Sequence, residues 1–140
     1  MRANVLAAVL MLAASASYGQ SKMPTVKDFY GKWTVTEVVG YADVGSGYPH
    51  AKEILGLVME ISADGITFNG DTCKPNKGYR VVMVDTAADL RANSGASRED
   101  AELPRKAPLL QNDNCSEIYW LNAHKIEFDD EGVFVRAYRD

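Results

Sequence analysis

His50 and His124 are the only histidines, and Cys73 and Cys115 the only cysteines, among 140 residues. Few side chains here can therefore act as nucleophile, base or soft metal ligand. Asp43, Ser46 and His50 crowd into one loop, residues 40–50 (GYADVGSGYPH), and offer the residue types of a hydrolytic triad. Triads are normally assembled from separate elements, and neighbours this close rarely reach the geometry. The chain contains no Gly-x-Ser-x-Gly elbow, no His-Glu-x-x-His pair and no phosphate-cradling glycine loop. The acidic run Asp129-Asp130-Glu131 has too few oxygen ligands at ordered spacing for calcium and reads as a solvated turn. These patterns predict a non-enzyme without cofactor or metal.

The same loop is a better candidate for contact than for catalysis. Tyr41, Tyr48 and His50 are interspersed with three glycines, a composition that lets aromatic side chains project at low backbone cost. These three residues are the expected binding site. The two cysteines are expected to pair, because an even count in an exported chain reads first as a disulfide. Closing a loop of this length restricts the unfolded chain by roughly 4 kcal/mol in the entropy model. A zinc site joining Cys73 and Cys115 to His50 or His124 lacks the usual close ligand spacing.

Charge excludes one class of partner. The chain carries 15 basic and 19 acidic residues, and Arg2 is the only charged residue in the first sixteen. Residues 17–140 thus carry a net charge of −5, which suits a cationic partner and not nucleic acid. Residues 1–16 have the form of a signal peptide. Arg2 precedes the apolar run VLAAVLMLAA, and Ala14-Ser15-Ala16 supplies a small-x-small cleavage site. The run is too short to span a hydrocarbon core of ~30 Å as a helix. A periplasmic or secreted protein beginning near Ser17, with no membrane insertion, is the expectation. Residues 17–140 suffice for a single domain.

The elements that must position the loop read as short strands. Residues 32–39 alternate apolar and mixed faces, and residues 57–69 form a hairpin around Asp64-Gly65, after a short helical turn at 51–56. Further strands are predicted at 79–84, 106–111, 117–121, 125–128 and 133–138, the last two joined by the turn at 129–132. Residues 86–103 interrupt this series with two helix-start signals, Thr86 with Asp89 and Ser97 with Asp100. About eight strands joined mostly by tight turns, with no βαβ alternation, predict an all-β antiparallel up-and-down barrel.

Gly31-Lys32-Trp33, at the start of the first strand, resembles the Gly-x-Trp signature of the lipocalins and the wider calycin group. The resemblance implies an eight-stranded barrel closed at one end by the tryptophan, with an arginine of the last strand packed over its ring. Arg136 and Arg139 are the candidates for that cation–π contact. Gly31 is expected to let the chain pass close beneath the barrel floor. By strand count, loop 40–50 and the connection at 70–78 fall together at the open end, and the 86–103 excursion falls at the closed end.

Two functions follow as expectations. The first is a periplasmic lipocalin-like binding protein that carries a small apolar ligand in a hollow barrel. The second is a packed barrel acting as an inhibitor or immunity protein against a cell-wall hydrolase or an envelope-delivered toxin. The predicted inward stripe (Trp33, Val35, Met59, Ile61, Phe68, Tyr79, Met83, Ile118, Trp120, Phe128 and Val135) is bulky and tilts slightly toward the packed form.

Overall fold

The structure is a computed structural model that describes residues 22–140; the expected signal peptide, residues 1–16, lies outside them. Nine strands form one antiparallel sheet: β1 (Gly31–Tyr41), β2 (Val58–Ser62), β3 (Gly65–Phe68), β4 (Asp71–Cys73), β5 (Arg80–Asp85), β6 (Lys106–Gln111), β7 (Ile118–Asn122), β8 (Lys125–Asp130) and β9 (Val133–Tyr138). Their order across the sheet is β4-β3-β2-β1-β9-β8-β7-β6-β5. The strand beyond the expected eight is β4, three largely polar residues bound to β3, where the hydroxyls of Thr67 and Thr72 lie 2.9 Å apart. Four short helices occur among the described residues: α1 (Val26–Phe29), α2 (Gly47–Ile54), α3 (Thr86–Asn93) and α4 (Arg98–Ala101).

The sheet curls into a half-barrel. Register shifts at Val35/Glu37 and Val38/Gly40 interrupt the pairing of β1 with β9, and such bulges bend a strand and increase its twist. The curl is visible in contacts made across the interior. β3 and β8 are separated by three intervening strands, yet the rings of Phe68 and Phe128 meet edge-on with centroids 5.2 Å apart. The edge strands β4 and β5 share no ladder; near that open side Cys73 is bonded to Cys115, as the cysteine count predicts.

Trp33 lies at one end of the half-barrel, its floor. It is fully buried, and its Nε1 donates to the Phe29 carbonyl at 2.8 Å. The Arg139 guanidinium lies 4.0 Å from the Trp33 ring and 5.7 Å from Trp120. That guanidinium also donates to the carbonyls of Asp28, Tyr30 and Ala123, which fixes it as a bracket across α1, β1 and the β7–β8 turn. Arg136 lies on the other face of β9, bonded to Glu127 at 2.9 Å. Gly31 has a different reason from the one expected. A Cβ there would meet Arg139 Nη1 at an ordinary 3.8 Å, but the backbone φ is +126°, a region that only glycine adopts readily.

Period-two alternation gives the sheet two buried faces. The concave face carries Trp33, Val35, Met59, Ile61, Leu110, Ile118, Phe128, Val133 and Val135. The convex face carries Leu109, Tyr119 and Phe134, and on these the 86–103 excursion lays Leu90, Ala96, Ala101 and Leu103. The excursion leaves and returns near the floor, where Asp85 pairs with Lys106. It then folds back up the outside, so that α4 meets the far end of β1. A Cβ on Gly40 would sit 1.9 Å from the Asp100 carbonyl oxygen. Met83, expected to point inward, is 52 % exposed, because β5 is an edge strand with no strand beyond it to bury the side chain.

Candidate binding surface

Beyond Tyr41 the chain has to turn from the end of β1 into α2, and it does so by leaning on the β8–β9 turn. The Ala42 amide donates to the Gly132 carbonyl at 2.8 Å, and the Ser46 amide to the Glu131 carbonyl at 2.9 Å. Ser46 Oγ donates to Glu131 Oε2 at 2.6 Å. The two segments touch backbone to backbone. A Cβ on Gly45 would lie 2.5 Å from the Glu131 carbonyl oxygen, and one on Gly132 would lie 2.7 Å from that of Val44. Glycine at both positions is therefore a packing requirement.

His50, on α2, completes the attachment. Its Nε2 lies 2.7 Å from Asp130 Oδ2 and 3.9 Å from Glu131 Oε2, while Nδ1 lies 3.7 Å from Glu53. The hydrogen bond to Asp130 raises the histidine above its ordinary value, against a smaller opposing effect of burial. The imidazole is thus an anchor for α2 and is not presented to solvent, its side chain being only 11 % exposed. Ser46 and His50 bind different acids of the β8–β9 turn and not each other, so no triad forms with Asp43.

Around this anchor the exposed groups are Tyr41, Val44 and Tyr48, the last with Lys52 Nζ 4.6 Å from its ring centroid. The exposed acids Asp43, Glu53 and Glu131 stand in the same segments. The connection after β3 is adjacent, as the strand count predicts. His50, Asp71, Cys73 and Asp130 border one open cleft of about 220 Å³. Asp130 and Glu131 are the residues that sequence reasoning missed. They lie eighty or more positions from their partners, and nothing local in an acidic turn signals such a contact. His124 lies at the opposite end, its Nδ1 3.2 Å from the Arg139 carbonyl.

A second polar cluster lies on the convex face. Tyr119 donates its hydroxyl to Asp89, and Asn93 Nδ2 lies 3.0 Å from both Asp89 Oδ1 and Glu117 Oε2. These residues border or adjoin a cleft of about 360 Å³ floored by Leu90 and Phe134. Burial, and then the neighbouring Asp89, push Glu117 up to about 7. The sequence suggests Thr86 as the cap of α3. Instead Asp85 accepts from the Ala88 amide at 3.0 Å, and Thr86 is buried, donating to the Pro104 carbonyl at 2.6 Å. Asp89 is thereby left to face β7.

Among the described residues, no helix is long and apolar enough to cross a membrane, and no group of three or more acidic, histidine or cysteine side chains is arranged to hold a metal. The disulfide fits an oxidising compartment. Compared with protein-family models, with curated proteins and with solved structures, the chain matches none.

Proposed function

We propose that this chain is a non-catalytic, lipocalin-like binding protein of the periplasm that uses a packed barrel as scaffold and acts on a protein partner, as an inhibitor or immunity protein does. One observation carries the reading: the segment from Tyr41 to Tyr48 is anchored to the β8–β9 turn at several points, yet leaves Tyr41, Val44 and Tyr48 exposed. Tyr41 ends β1 and Tyr48 stands in the first turn of α2, and aromatic groups held on such fixed elements lose little entropy on binding, which is how contact hot spots are built. The flanking acids Asp43, Glu53 and Glu131 suit a basic face on the partner. The lipocalin-like assignment draws on the Gly31–Trp33 motif, the Arg139 bracket and the curl of the sheet. The concave face, filled by Trp33, Met59, Phe68 and Phe128, favours surface contact over an enclosed ligand.

The small-ligand reading retains one support. An open cleft of about 520 Å³ outside the floor is lined by Met23, Met83, Pro108, Trp120 and Leu121, and would accept an apolar molecule. Affinity capture separates the two. Tagged protein spanning residues 17–140 is passed through envelope extract beside a Tyr41→Ala/Tyr48→Ala variant. A protein retained by the parent and lost by the variant, at equal melting temperature, supports the proposal. A co-purified lipid, or a protein that both forms retain equally, overturns it.

A further inference from the structure

The convex core is covered by a helix whose polar contacts include two carboxylates brought together from different elements. Asp89 comes from α3 and Glu117 from the segment entering β7, and the Asn93 amide reaches 3.0 Å to each of them. Tyr119 donates to the second Asp89 oxygen. Beneath them lie Leu90, Leu109 and Phe134, all buried. We propose that α3 is a pH-responsive cover over this face, fastened to β7 when Glu117 holds a proton beside Asp89 and loosened when it does not.

Two ionised carboxylates this close repel, whereas one shared proton turns the repulsion into a hydrogen bond. The direction of the effect follows from Glu117. Its value in the docked state is raised to about 7 from 4.5, so the docked form binds the proton more tightly than the undocked one. The stabilisation it contributes is complete below the ordinary value and is lost as pH rises through about 7. Tyr119 is pushed higher still by burial, and it remains a donor throughout this range.

The charges facing the pair do not cancel the effect. From β8, Asp129 borders the same cleft and is itself raised by burial, which works in the same direction. Glu127, also on β8 and fully buried behind Tyr119, is pushed up to about 7 by burial against its bond to Arg136, so it titrates in the same range and Glu127→Gln separates its contribution from that of Glu117. Asp113 stands in the loop before Glu117, and Lys77 and Arg80 border the cleft on the far side of Glu117. The two bases are exposed and weaken the repulsion without replacing the proton. The far part of the excursion is held separately, by Arg136 on the Glu102 carbonyl at 3.1 Å, and the first residue of α3 is tied down by the bond from Thr86 to the Pro104 carbonyl, so that only the helix beyond it is free to lift. Lifting of α3 therefore leaves the excursion attached at both ends.

Hydrogen–deuterium exchange on the folded protein tests this at about pH 5.5 and about pH 8.5, corrected for intrinsic exchange, with β9 amides as the internal reference. Protection of the α3 amides should fall about tenfold or more at the higher pH, since a proton held ten times more tightly in the docked form favours that form by the same factor. Glu117→Gln, which keeps the shape and removes the titration, should cut the change to roughly twofold or less; Asp89→Asn provides the second variant should the first fold poorly. Equal protection of the parent at both pH values overturns the proposal. So does a full pH response that survives in both variants, or one that disappears only in Glu127→Gln.

Discussion

The concave and convex faces of this sheet are both buried, but they are buried by different means. The concave face is filled by side chains from the strands themselves, with Phe29 and Trp33 across the floor, and its contents are almost wholly apolar. The convex face is covered by a separate piece of chain and mixes apolar residues with a fully buried Glu127, whose Oε1 has no hydrogen-bond partner. Removing the cover would leave the strand ladders formed, whereas emptying the concave face would remove the reason for the curl. Stability should accordingly be global on one side and local on the other.

The largest expected effect lies on the concave side. Trp33→Ala should destabilise the whole protein by about 3–5 kcal/mol, the usual cost of deleting a core aromatic, measured as a lower denaturant midpoint with no separate transition for α3. A variant of parental stability would mean that the floor is not part of the core. Next comes the disulfide across the open side. Thiol titration of the unfolded, unreduced protein should find no free thiol, and Cys73→Ser/Cys115→Ser should cost about 2–5 kcal/mol.

Gly40→Ala sharpens the comparison from the convex side. The new Cβ collides with the Asp100 backbone, so α4 must shift, at about 1–3 kcal/mol for overpacking. Faster amide exchange in residues 86–103, with β1–β3 unchanged, would place the damage on the cover alone; uniform loss would erase the distinction between the faces. The smallest effect concerns the α2 anchor. His50 should titrate above its ordinary value by NMR, and Asp130→Asn should bring it down, since that hydrogen bond is the principal cause of its elevation. The sign is that of a raised base: the anchor is strongest below pH 6.5 and is lost as pH rises through the raised value.

The antiparallel all-β layout was legible because each long strand repeats with a period of two and its turns carry the right residues, as at Asp64-Gly65 and Gly132. β4 was hidden because three residues, largely polar, are too few to show a period. The path of the excursion was hidden for a related reason. α3 and α4 are too short for an amphipathic stripe, so nothing in them announces a sheet face as their partner. Tyr41 and Tyr48 could be picked out as projecting aromatics in a glycine-rich loop. That His50 would turn away to Asp130 could not, since the contact joins residues eighty apart.

β1 to β4 form one meander and β5 to β9 another, and within the sheet the two are stitched together by the single ladder between β1 and β9. On the far side, one sulfur–sulfur bond joins them again. The peptide that connects the meanders contains an exposed Lys77-Gly78 bond. A tryptic nick there would turn one chain into two complementary fragments, each a complete meander. They should migrate together on a gel without reductant and separate with it, and in solution the β1–β9 ladder would act as the docking interface of a split protein.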